Sequence, residues 1–464
     1  MFRGSSRWDV FIRRAPAWVG LLTGCSVCWV TPVAGDSGTN VVPLNLSVFS
    51  DYAGQARLHH PALQAARERR ISAEAARAGV RTFADPMVKA NVMVSSSRGP
   101  RDSEDGNLGY GVEQRLPWLG KERAAQALVT AEAAGATVAE EVRFQEIRRD
   151  VVDALLQLAR SGQELALARE DNDWHAVEAR TSRARYEAGS GPSLDVLRFE
   201  SEHARRRTML LRLEQEVSAK RAAANRALGQ PPETPLPGFQ LPEFISPPVY
   251  SPMLATRAIE HAPAVRLGEL ARRRAERQVE VARKSGRPDI SVGFDSAHYS
   301  GDGGWRQGLV SVSSTLPWFN RDRYRQDVAR DQAMVRAAVS ELEDSRQAVQ
   351  TGLFRWATAA ATAAAEAQNQ QREVLPRAEA AFQSALNGWI GGGATLSELF
   401  ETRRAVIESR SRIVTAITEE WEAINEMAYL CGTDLSEVLV SKPPPGTPSP
   451  ESTNANPNPN PARK

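Results

Sequence analysis

The chain tells one story twice. His60-Pro61-Ala62-Leu63 has a counterpart in Ala262-Pro263-Ala264-Val265, and Leu116-Pro117-Trp118 has one in Leu316-Pro317-Trp318. Ser193-Leu194 with Leu197 returns as Thr395-Leu396 with Leu399, and every pair lies about 200 residues apart. An ordered series repeated at constant spacing means one architecture built twice. Length alone, 464 residues, would suggest about three ordinary domains, and the repeat overrides that expectation. Each unit reads as a helix, two short alternating segments, a very long helix, a Gly-rich break and a further helix.

Periodicity predicts a helix over Trp118–Glu187, where Phe144, Ile147, Val151, Leu155, Leu158, Gly162 and Leu165 step by three and four. The second unit repeats that seam with Val335, Ala338, Leu342, Ser345, Val349, Gly352 and Trp356. Gly135, Gly162, Gly352 and Pro376 are positions where bending is expected. A helix of about 70 residues is roughly 100 Å long, which no compact domain contains. Helices over Pro61–Phe83 and Ser193–Leu228, laid end to end, nearly match it. The arithmetic predicts a rod in which one continuous helix lies beside two shorter ones.

The short segments alternate with period two. Val88, Ala90, Val92 and Val94 oppose Lys89, Asn91, Met93 and Ser95; Leu108, Tyr110, Val112 and Leu116 oppose Gly109, Gly111, Glu113 and Arg115. In the second unit Ile290, Val292 and Phe294 oppose Asp289, Ser291 and Gly293, and Val310, Val312 and Leu316 oppose Ser311, Ser313 and Thr315. Each is about nine to eleven residues, the length of a tilted membrane strand. The loops Ser96–Asn107 and Ser300–Trp305 are rich in Gly, Asp and Arg, as solvated tips would be. Four strands cannot close a barrel alone, because an open edge in lipid leaves backbone groups unpaired. Either the sheet is soluble and edge-protected, capping a helical bundle, or several chains share one barrel.

Arg3, Arg7, Arg13 and Arg14 followed by the apolar Ala15–Val30 read as an export signal. Leu22-Thr23-Gly24-Cys25 resembles the bacterial lipoprotein signal, with Cys25 as the candidate lipidation site; cleavage after Ala34 is the alternative. The expected boundaries are a signal at 1–24, an N-terminal segment and opening helix at 25–56, repeats at 57–230 and 253–434, a Pro-rich linker at 231–252, and a disordered tail at 435–464. A net charge of +2 and the lack of a basic, aromatic-interleaved stripe exclude nucleic acid as an expected partner.

Chemistry is sparse. The six histidines (His59, His60, His175, His203, His261, His298) have no zinc-ligand spacing, and His59-His60 reads as a helix-opening detail. Cys25-x-x-Cys28 lies in the leader, outside any redox context. Gly391-Gly392-Gly393 lacks a lysine and a preceding strand, so it reads as a turn. No catalytic constellation, cofactor or metal is expected, and the chain does not read as an enzyme.

From Leu44 to Asp434 the chain resembles the TolC-like family of outer-membrane efflux proteins. Leu44-Asn45-Leu46 with His60-Pro61-Ala62-Leu63 is similar to the family's opening helix. Asp85-Pro86 and Leu116-Pro117-Trp118-Leu119-Gly120-Lys121 resemble its cobalt–zinc–cadmium branch, and Tyr186-Glu187-Ala188-Gly189 with Ser193-Leu194-Asp195-Val196-Leu197 resembles its periplasmic tip. The resemblance implies a mainly α fold with a small β part: duplicated long helical hairpins plus four membrane strands per chain. It also implies a homotrimer forming a twelve-stranded barrel above a periplasmic α-barrel, with Gln230–Pro252 around the waist.

The family carries acidic residues that line a closed aperture. Transferred to this chain they are Glu398 and Glu401, one helical step apart, with Asp195 as their first-unit counterpart. Carboxylates about 6 Å apart would repel by roughly 3 kcal/mol at an effective dielectric near 20. Arg403 and Arg404 follow directly and offer the plainer reading of a solvated helix face. Tyr186 and Gly189, then Trp389 and Gly392, stand at the two tip turns; Lys89, Glu113 and Arg115 would face the lumen. By resemblance the function is a passive exit duct fed by a periplasmic adaptor and an inner-membrane proton-driven pump of the resistance-nodulation-division type. Divalent metal ions or drugs would be its cargo, and outer membrane lipid would surround it. A conduit for type I secretion and a soluble coiled-coil scaffold are the competing readings.

Overall fold

The structure is a computed structural model, and it describes residues 41–80, 84–92, 108–298 and 305–440. Everything below concerns the unit that begins at Asn40. The leader with Cys25, the loop Ser96–Asn107 and the residues Val94 and Ser95 lie outside the described residues.

The chain opens with β1 (Val41–Pro43), α1 (Leu46–His59) and α2 (Pro61–Gly79), followed by β2 (Met87–Val92) and β3 (Leu108–Leu116). The long helix α3 (Lys121–Glu187) runs 67 residues without interruption, through both Gly135 and Gly162. Next come α4 (Ser193–Leu228), β4 (Gly238–Gln240), α5 (Pro252–His261) and α6 (Pro263–Ser285). The second half continues with β5 (Ile290–His298), β6 (Trp305–Ser314), α7 (Arg321–Asn369), α8 (Leu375–Ile390), α9 (Leu396–Cys431) and α10 (Leu435–Val440).

The helix breaks follow local chemistry. Asn45 caps α1 by accepting the Val48 N–H at 2.9 Å, and His60 caps α2 by accepting the Ala62 N–H through Nδ1 at 3.1 Å. Pro61 and Pro263 each open a helix, where a missing N–H costs nothing. Helices α4 and α9 both end on a left-handed glycine, Gly229 (φ 74°) and Gly432 (φ 63°). A side chain on either would collide with the backbone of His60 or His261, so both units lock the same kink with the same residue.

Helix α3 packs against α2 and α4, as the length arithmetic requires, and also against α6 and α9; α7 packs against α6 and α9. The second long helix departs from expectation. A single π turn at Gln370–Val374 separates α7 from α8. Pro376 has no N–H, and its ring crowds the carbonyl one turn back. The π turn, in which the Leu375 N–H reaches the Gln370 carbonyl, absorbs that defect. Of the four expected bending points, the α-helical pattern breaks only beside the proline.

Four strands form one sheet in the order β2-β3-β5-β6, antiparallel throughout. The register aligns Val88 with Val112, Val112 with Phe294, and Phe294 with Val310. The apolar sets of all four strands therefore share one face, and that face is exposed. Strands β3, β5 and β6 are 9, 9 and 10 residues long, while β2 covers 6 described residues. The helices below follow the same lateral order, with α2, α3, α6 and α7 continuing β2, β3, β5 and β6. Sheet and helices together form one wall, and both lateral edges of its sheet lack a partner strand among the described residues.

Two features revise the expected boundaries. Residues 231–252 are more than a linker: β4 pairs in parallel with β1, and Trp421 Nε1 donates to the Glu243 carbonyl at 3.1 Å. The assigned tail begins too early, because α10 covers Leu435–Val440 and Leu435 and Val438 pack into the main core. That core lies at mid-height, around Leu155, Leu156, Ile424 and Met427, where α3 and α9 meet. It buries Glu420, which accepts from the Ile245 N–H at 3.1 Å, and half-buries Asp153, which accepts from Asn425 at 2.7 Å. Burial pushes both carboxyls up to about 7.

Candidate functional site

At the far end of the helices two tip turns meet. In the first, Gly189 takes a left-handed φ of 72° and its N–H returns to the Tyr186 carbonyl at 2.9 Å. Helix α4 then starts after Pro192 with no side-chain cap. In the second, Gly392 (φ 78°) turns the chain, and Thr395 forms a capping box with Glu398. The Thr395 N–H donates to Glu398 Oε2 at 2.9 Å, and the Glu398 N–H donates to Thr395 Oγ1 at 3.3 Å.

The turns are joined by Trp389. Its indole N–H donates to Asp195 Oδ2 at 3.3 Å, while the Arg185 guanidinium lies 4.7 Å above its ring. Asp195 and Arg185 belong to the first unit and Trp389 to the second, so this clasp spans the repeat. Phe199, Leu396 and Leu399 pack with Trp389 into a second, smaller core, and Phe199 meets Phe400 edge-on at 5.0 Å. Leu194 and Leu197 match Leu396 and Leu399 in sequence, but they are 53% and 63% exposed. Tyr186, the sequence counterpart of Trp389, is also exposed.

Just behind the clasp lies a charged knot that the sequence reading did not contain. Arg403 is buried, donates to Asp171 Oδ1 at 3.0 Å, and stacks over Trp174 and Phe382 at 5.2 and 5.4 Å. The Arg206 Nε lies 2.8 Å from Asp171 Oδ2, an ion pair whose N–H misses hydrogen-bond alignment. Arg410 bridges Glu170 at 3.0 Å and Glu379 at 2.9 Å. Buried His175 stands 3.9 Å from Asp171. Burial drives its imidazole down to about 4 against the pull of Asp171, with Arg206 and Arg403 adding to the effect. The solvated-face reading therefore holds for Arg404 and fails for Arg403. A signal was present: the seam of α3, stepping by three and four, reaches Asp171 and His175. A charge on a seam requires a buried partner.

The expected aperture acids separate. Glu398 is committed to its cap, Glu401 is exposed, and Asp195 holds Trp389. Among the described residues no hydrogen bond or ion pair links Asp195 to either glutamate.

At the opposite end, Lys89, Glu113 and Arg115 share the polar face of the sheet, and Lys89 pairs with Glu113. Gly111 stays bare because a side chain there would collide with the Asp295 carboxylate. Arg115 sits at the strand foot, paired with Asp289 at 2.5 Å, and Lys121 reaches the same carboxylate at 2.7 Å. Asp289 also accepts from the Trp118 N–H at 3.4 Å, and its own N–H donates to Thr315 Oγ1 at 2.7 Å. That carboxylate ties the foot of one unit to the foot of the other, and it escaped the sequence reading. Among the described residues no group of His, Cys, Asp or Glu could hold a metal ion, and no helix is long and apolar enough to cross a membrane.

Comparison with known proteins bears on this geometry. Residues 53–230 and 254–433 match the family model described as outer membrane efflux protein. The cobalt-zinc-cadmium resistance protein CzcC of Cupriavidus metallidurans is 24% identical over 433 residues, covering 88% of this chain and 98% of the relative. Among solved structures, the outer-membrane channel OprN superposes with a TM-score of 0.73 at 19% identity, covering 84% of this chain and 91% of that one. The Campylobacter jejuni CmeC outer membrane channel gives 0.72 at 13% identity, covering 84% and 88%.

Proposed function

Because this chain belongs to the outer membrane efflux protein family, a family of channels rather than enzymes, we propose that it serves as the exit duct of a tripartite export system. Its sheet lies in the outer membrane and its helices extend into the periplasm. In this reading three copies close the wall: β6 of one protomer pairs with β2 of the next. The apolar strand face meets lipid while Lys89, Glu113 and Arg115 line the lumen. The observation that carries it is the sheet itself, one-sided in polarity and open at both edges, which lipid tolerates only in a closed ring.

The tip turns form the gate. The Trp389–Asp195 clasp holds the two units together at the tip, and Glu401 supplies the exposed charge of the aperture. A periplasmic adaptor biases the opening, and an inner-membrane proton-driven pump supplies the energy. Divalent metal ions are the cargo, a reading supported by the likeness to CzcC over nearly its whole length.

Purified protein in planar bilayers provides the test. Trp389→Phe keeps the ring and removes the indole donor, so the open fraction should rise. Glu401→Gln should lower preference for cations; Glu398 is a poor probe because its loss would also uncap α9. Unchanged conductance and selectivity in both variants would end the gate assignment. Cobalt, zinc and cadmium tolerance of a deletion strain, unrestored by the wild-type gene, would end the cargo assignment.

A further inference from the structure

We infer that the strand feet form a collar that binds the anionic headgroups of phospholipids in the periplasmic leaflet of the outer membrane. The inference rests on the outer-membrane placement above and adds the class of lipid.

The apolar strand face ends at Leu116 and Leu316. Immediately beyond it Leu119 is bare, and Trp318 and Phe319 are 54% and 79% exposed. Aromatic side chains bordering an apolar band are anchors at headgroup depth. Around them, the segments 121–123, 283–289 and 321–325 carry eight cations against three acids. The whole chain has a net charge of only +2, so the excess is local.

It is only partly neutralised. Asp289 is turned toward Arg115 and Lys121, Asp322 faces Arg325 at 3.4 Å, and Arg283 meets Glu280 at 2.7 Å. Arg287, Arg321 and Arg323 are exposed and make no ion pair among the described residues. Along the helices the habit is different: Arg70 pairs with Glu74 at 2.8 Å and Arg412 with Glu408 at 2.7 Å, each one turn away. Packing gathers the three segments into one band. A side chain on Gly286 would touch the Tyr324 ring at 3.5 Å, and one on Gly120 would touch Lys284 at 3.9 Å.

Charge complementarity selects the occupant. A phosphodiester headgroup offers each guanidinium a paired acceptor. Lipid acyl chains also cover Leu119, Trp318 and Phe319, which a soluble anion would leave wet.

The experiment uses the full chain in phosphatidylcholine bilayers containing brominated phosphatidylglycerol or brominated phosphatidylcholine at equal mole fraction. The readout is Trp318 fluorescence, taken as the difference between wild type and Trp318→Phe. Both lipids should quench it, with phosphatidylglycerol preferred by about fivefold or more, since each basic residue at an anionic surface contributes about that factor. The preference should fall toward unity in molar salt and in the Arg287→Gln, Arg321→Gln, Arg323→Gln triple variant. Equal quenching by the two lipids at low salt would overturn the inference, as would a preference that survives both salt and the triple variant. An absence of quenching would mean that protein covers Trp318, which also overturns it. The salt series needs no variant, and carbonate-resistant vesicle association in the same samples scores membrane insertion separately.

Discussion

At the first tip turn Leu194 and Leu197 stand in solvent; at the second, Leu396 and Leu399 close an aromatic core. The first turn starts its helix with an uncapped proline, the second with a complete capping box. Duplication copied the backbone plan and not the surroundings. The second turn closes on a core that it shares with Phe199 of the first unit, while Leu194 and Leu197 of the first turn stay outside it. In the gate proposed above, that inequality would let one turn move while the other stays folded.

The sharpest way to break the comparison is Arg403→Ala, which takes the buried, hydrogen-bonded partner from Asp171 and leaves it only the misaligned Arg206. Losing one partner of a buried pair costs about 3–5 kcal/mol, so urea unfolding in detergent should shift by that amount, whereas Arg404→Ala should leave it unmoved. Next come the matched leucines. Leu399→Ala should cost about 2–5 kcal/mol as a buried truncation, and Leu197→Ala should stay within about 0.5 kcal/mol; equal losses would erase the asymmetry. Thr395→Ala removes a cap and should cost about 1 kcal/mol, against no measurable change for Ser193→Ala, which caps nothing.

The remaining test is a pH slope. His175 is held near 4 in the fold and titrates near 6.5 when unfolded. Stability from that site is therefore full above pH 6.5 and drains as pH falls toward 4. Asp153 and Glu420 run the other way: held near 7, they stabilise at low pH and lose that contribution as pH rises through 7. His175→Phe should flatten the acid side of the urea-midpoint profile, and Glu420→Gln the neutral side. A single shared slope would contradict the separate environments of tip and waist.

Much of this was legible in the sequence, because the features concerned are periodic. Period-two alternation placed the apolar strand sets on one face, and the lengths of the helices foretold one long rod beside two short ones. What stayed hidden depends on partners distant in sequence. Asp289 gains meaning only when Arg115 and Lys121 arrive from the other unit, about 170 residues away. Arg403 looked like half of a solvated pair because its acid lies 232 residues upstream. The β1–β4 pairing was missed because three-residue strands carry almost no periodicity. Glu398 followed a resemblance to an aperture role, while the local Thr395-x-x-Glu398 pattern already spelled a cap.

The unpaired edges of the sheet bear on inheritance. In the proposed ring of three identical segments, one damaged segment would breach the whole circumference. A cell carrying one sound and one defective gene would assemble mostly mixed rings, so strand-edge lesions should behave as dominant, whereas lesions that merely prevent synthesis should be recessive.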